Sequence, residues 1–146
     1  MTYYKDLSPF EYEAAPQGGA ATLNVGWLST RKPFSRGDTS EQFLDELFRV
    51  VQTPWISHLG YHNCRLGSCR RRTCPWGLTE SRHGQSVKLG DSVVLVEAID
   101  GLRYAAPDLI YHYVVEHSYL PPKAFVDAAL ARRSNGEEGS ARRDDA

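Results

Sequence analysis

Three cysteines, a histidine and four arginines crowd into GYHNCRLGSCRRRTCPWG, residues 60–77, the stretch of this chain richest in reactive side chains. Thiolate sulfur and imidazole nitrogen together suit a borderline-soft divalent cation, zinc above all, and not the hard cations that prefer oxygen. On an extended segment His62 and Cys64, two residues apart, point to the same side, as two ligands of one ion must. Cys69 follows in a Cys-x4-Cys spacing at the loose edge of the range usual for zinc pairs, and Gly67 between them lets a short loop turn back on itself.

A tetrahedral shell needs a fourth donor, which the helix expected over residues 107–118 supplies as His112 or His117. On that helix His117 falls near the centre of an apolar face made by Leu109, Ile110, Tyr113 and Val114. His112 falls on a flank, where Glu116 four residues on makes a surface pair with it. The expected ligand set is His62, Cys64 and Cys69 completed by His112 or His117. Four protein ligands make the site structural, whereas three leave a position for water and open hydrolytic or lyase chemistry.

The arginines raise two further readings. Arg70, Arg71 and Arg72, with Arg65 nearby and Trp76 beside them, form a candidate site for an anion or single-stranded nucleic acid. Their positive field also lowers the pKa of neighbouring thiols, so an enzyme using an activated Cys64 or Cys69 is the alternative to a metal domain. A formal net charge of −1 supplies no extended basic face, which argues against nucleic acid as partner and leaves a protein or small molecule. No phosphate-binding glycine loop, nucleophile elbow or His-Glu-x-x-His helix is present.

The elements that must position these residues read as α+β. LNVGWL alternates like a half-buried strand; Thr39 and Gln42 form a capping box ahead of Phe43, Leu44, Leu47, Phe48, Val50 and Val51, which recur at helical spacing. From Leu78 to Ala105 short β segments alternate with His83-Gly84, Gly90-Asp91 and Asp100-Gly101 turns, which predicts an antiparallel meander. Helices are expected near 40–52, 107–118 and 122–132, with Pro107 in a first turn and Pro121 as a stop. The aromatic-studded arm over residues 1–22 is expected to pack. The expectation is one globular domain over 1–133 and a disordered polar tail over 134–146, where no large apolar residue remains.

At 146 residues the chain is long enough to bury a core without a disulfide, and an odd cysteine count suits a reducing compartment. No run approaches the roughly 18 apolar residues of a membrane span, and the N-terminus lacks a signal-peptide core, so the expected location is the cytoplasm. DLSPFEY, LNVGWL, GYHNC with a later cysteine, and YAAPDLIYHYVVEHSYLPPKAF together resemble an uncharacterised family of small bacterial, largely actinobacterial, proteins over about residues 5–130. The resemblance implies a compact bacterial cytoplasmic domain with a His-x-Cys…Cys element. The family's pattern is tighter, Cys-x-x-Cys after the histidine, and maps onto His62 and Cys64. Here the loop to Cys69 is longer and Cys74 is added, so Cys69 and Cys74 both stand as partners of Cys64.

Overall fold

The computed structural model describes residues 2–11 and 21–132; the tail expected over 134–146 and the middle of the N-terminal arm lie outside the described residues. In chain order the elements are β1 (Thr22–Asn24), α1 (Glu41–Gln52), β2 (Ile56–Ser57), a 3-10 turn (Gly67–Arg71), β3 (Leu78–Arg82), β4 (Gln85–Leu89), β5 (Ser92–Glu97), β6 (Arg103–Pro107), α2 (Ile110–His117) and α3 over residues 123–132. The class is α+β, and among the described residues no helix is long and apolar enough to cross a membrane.

The meander is divided. β3 and β4 form a two-stranded antiparallel sheet, and β5 instead joins a four-stranded sheet in the order β1-β6-β5-β2. Within it β5 and β6 run antiparallel, whereas β1 lies parallel to β6, with Leu23 opposite Tyr104. The division falls at Gly90, whose φ of +125° swings the chain out of the hairpin, a conformation open only to glycine at little cost. The β3–β4 turn itself keeps the expected form: His83 and Gly84 both have positive φ, as a two-residue type I′ loop demands.

β1 is shorter than the alternation of LNVGWL predicts, and its polar Asn24 is as enclosed as the Val25 that follows it. The N-terminal arm covers it: Asn24 Nδ2 donates to the Pro9 carbonyl at 3.0 Å, and Asp6 accepts from Gly26 N at 2.9 Å and from the Tyr119 hydroxyl at 2.7 Å. Tyr4 packs edge-on against Trp27, and Phe10 is buried, so the arm packs as expected over its described part.

α1 is capped by Ser40, not Thr39, with Ser40 Oγ accepting from Phe43 N at 3.1 Å; such a cap is worth about 1 kcal/mol. Its buried face of Phe43, Leu47, Phe48, Val50 and Val51 packs on the sheet and on α2, with Phe43 edge-on to Phe125 of α3 and Phe48 against Tyr111. Pro107 is not a helix residue. It ends β6, opposite Val93, and α2 begins three residues later and closes at Ser118 in the left-handed conformation.

Candidate metal centre

Cys64 lies on the irregular segment entering the 3-10 turn and Cys69 within it, while His112 and His117 lie in the middle and at the last residue of α2. One ligand atom from each of these four residues falls within 4.8 Å of every other. Cys64 Sγ is 3.3 Å from His117 Nε2, and Cys69 Sγ is 3.5 Å from His112 Nε2. With metal–sulfur and metal–nitrogen bonds of about 2.3 and 2.0 Å, the edges of a tetrahedral shell run about 3.3–3.8 Å, so the group is close to that size.

The chain builds this arrangement locally and then closes it at long range. Gly67, with φ of +51°, lets the loop reverse, and the turn returns Cys69 toward Cys64. A Cβ at Gly67 would sit 3.7 Å from the His117 ring, so the turn packs directly beneath that imidazole. The loop is tied to the hairpin corner by His62 N, which donates to the Gly90 carbonyl at 2.8 Å, and braced internally by Cys74 N donating to Asn63 Oδ1 at 2.8 Å. Gly90 N in turn donates to Asp108 Oδ1 at 2.9 Å, just ahead of α2, so loop and helix share one anchor.

Around the four donors the surroundings are set for ligation. Glu80 of β3 accepts from His112 Nδ1 at 2.7 Å, which fixes the tautomer and aims the Nε2 lone pair at the cluster. Arg72 Nη2 donates to Cys69 Sγ at 3.5 Å, and Leu66 N donates to Cys64 Sγ at 3.4 Å. The two imidazoles lie 5.2 Å apart at 77°, converging from different directions. Cys64, Cys69 and His112 are each no more than 5% exposed. The cavity that touches the thiols, between Cys64, Cys69, Arg72 and Cys74, measures about 10 Å3, room for no more than about one water.

Burial, with Cys69 adding to it, pushes the Cys64 thiol up to about 12, outweighing the nearby Arg72 that pulls the other way. At Cys64 desolvation thus opposes the arginine field and favours the protonated thiol. Burial, followed by the neighbouring His112, likewise holds His117 below its ordinary value, so its ring is an unprotonated donor. A bound cation reverses the thiol's preference, because a coordinated sulfur is deprotonated outright.

The expected ligands are thus distributed unequally. Cys64, Cys69, His112 and His117 come together; His62 is outside the group: residues 60–65 form no strand, Gly60 has positive φ, and His62 lines two cavities apart from the four donors. Both helix histidines join the group, not one of the two. Their roles on the helix are also exchanged: His112 is the more buried, and its partner is Glu80 across the fold, not Glu116. Cys74 is half-buried and outside the group. Arg70 and Arg71 are exposed at the end of the turn, and Arg82 is committed elsewhere, bonded to Asp45 at 2.7 Å and Glu41 at 2.6 Å of α1.

One residue of the site, Glu80, and the joint use of both histidines went unread in the sequence. The pairing of both histidines had a signal: Cys64-x4-Cys69 is matched by His112-x4-His117, a spacing within the histidine range of two-cysteine, two-histidine zinc sites. Glu80 had none beyond its place on the inward face of a strand.

Residues 2–130 match the model of a protein family described as a domain of unknown function (DUF7919). No curated protein and no solved structure matches the chain.

Proposed function

The chain belongs to the DUF7919 family, and we propose that it is a small cytoplasmic zinc-binding domain in which the ion is structural, stapling the cysteine loop to α2 so that the loop presents a fixed surface to a protein or small-molecule partner. The observation that carries this reading is the convergence of two sulfurs and two ring nitrogens from residues 64–117 within 4.8 Å. Two thiolates and two neutral imidazoles neutralise a divalent cation, and mixed sulfur and nitrogen donors favour zinc over hard cations.

The closed shell supports a structural role over a catalytic one. The group offers four protein donors, enough to fill a tetrahedral shell, and the cavity against the two thiols measures only about 10 Å3. Free thiols held for a metal suit a reducing compartment.

Metal analysis of the purified chain tests the proposal. We expect one zinc per chain, one fast-reacting thiol (Cys74) in the native protein, and three after chelation and denaturation. Cobalt substituted for zinc is expected to show the thiolate charge-transfer and tetrahedral ligand-field bands of a two-sulfur site. A chain that binds neither ion, or a Cys64→Ser variant that keeps full zinc content, overturns it.

A further inference from the structure

A cavity of about 550 Å3 shares none of its lining with the four metal donors. Its size is that of a small-molecule site. The N-terminal arm and Trp27 wall one side; the end of β6 and the Gly90–Val93 segment wall the other.

Among the described residues four ionisable ones line it, His58, His62, Asp91 and Asp108, yet they do not form a second metal centre: the two-cysteine, two-histidine group is the one described set of such donors near enough to hold an ion. Among the described residues no lysine or arginine lines it, so an anionic ligand would meet carboxyl groups and no lysine or arginine there. Asp108 is 2% exposed and held by Gly90 N at 2.9 Å, and Asp91 accepts from Ser92 Oγ at 2.7 Å, so both acids are fixed before any ligand arrives.

The aromatic wall is equally settled. Tyr4 and Trp27 meet at 88° with centroids 5.5 Å apart, and the indole N–H is already used on the Ala105 carbonyl at 3.0 Å. What Trp27 offers a ligand is therefore carbon and π surface.

We propose that this cavity binds a small organic cation, a protonated amine or guanidinium carried on an apolar or aromatic body. The cationic head is received by Asp91, with the enclosed Asp108 behind it, and the body lies against Tyr4 and Trp27, where ring faces also attract positive charge. Burial pushes the Asp108 carboxyl up to about 7, the behaviour of an acid enclosed without a cationic counterpart, and a bound cation supplies that counterpart. This site stands independently of the metal reading.

Three probes sharing one phenolic body but differing in charge decide the matter: tyramine, 4-ethylphenol and 4-hydroxyphenylacetate, titrated into the metal-loaded chain and followed by amide and indole NMR. Tyramine is expected to bind at about 1 mM or tighter and at least about tenfold better than 4-ethylphenol, with the acid not binding. Its shifts should centre on Trp27, Asp91 and Ser92. Asp91→Asn and, as a second variant, Tyr4→Ala are each expected to weaken tyramine by about tenfold, whereas Lys88→Gln, outside the cavity, is not. Equal binding of the three probes, no tyramine binding, shifts centred elsewhere, or insensitivity to both cavity variants overturns the proposal.

Discussion

Glu80 shows how much a single side chain beyond the donors contributes. It binds no ion itself, yet its carboxylate holds His112 in the tautomer whose free nitrogen faces Cys69. Replacing it with glutamine leaves the fold intact and weakens zinc affinity by about 10- to 100-fold, measurable by competition with a chromophoric chelator. Asp108 gives the second expectation at this scale. Its carboxyl titrates near 7 in the fold against 3.8 when unperturbed, chiefly through burial, with Asp91 adding to it. The folded state therefore holds its proton more tightly, and stability present at low pH is lost as pH rises from about 4 to about 7. Asp108→Asn, which cannot ionise, should gain on the native chain over that window by up to about 4 kcal/mol and then level off. Urea denaturation at several pH values reads the difference; a constant gap between the two proteins would mean that Asp108 is ionised throughout.

Among the elements, the hairpin corner governs the site more than the strands it joins. A Cβ on Gly90 would lie 2.5 Å from the His62 carbonyl, in a backbone conformation with φ of +125°. At Gly84, φ is +77° but nothing lies within 4 Å. Gly84→Ala is thus expected to cost about 1–2 kcal/mol through backbone conformation alone and to leave zinc content unchanged. Gly90→Ala should cost more than that and release zinc, because it displaces the loop that carries Cys64. Equal costs with full zinc in both variants would separate the loop's position from the corner. The same elements show what local pattern conveys: the face of α1 and the His83-Gly84 turn were readable because spacing and turn chemistry act within a few residues. The β5–β6 pairing was likewise readable from the Asp100-Gly101 turn, but the other edge of β5, held by β2 and not β4, was not, since either strand satisfies the same pattern.

For the molecule as a whole, the question is what remains when the staple is removed. The core reaches well beyond the cysteine loop, which adds Cys64, Leu66 and Cys69 to it: Phe43, Leu47, Val94, Ile110 and Phe125 are all fully buried within α1, β5, α2 and α3. Chelation is therefore expected to lower the melting temperature by more than about 5 °C, equivalent to roughly 1–2 kcal/mol for a domain of this size, without unfolding the chain. Hydrogen exchange should accelerate over residues 60–77 and stay slow in β5, β6 and α1. Collapse of all protection would instead make the ion a condition of folding, as in isolated zinc fingers.

The sequence by itself determined the α+β class, the position of α1, the β3–β4 turn, the reversal at Gly67 and the supply of sulfur and imidazole donors. Each follows from residue type and near-neighbour spacing. Only the tertiary structure decided that His112 and His117 both join Cys64 and Cys69, that His62 lies outside the group, and that Glu80 stands behind His112. Those outcomes depend on how α2 leaves β6 and how the loop docks on Gly90. Such contacts form between residues tens of positions apart, where chain geometry, not local preference, selects the partner.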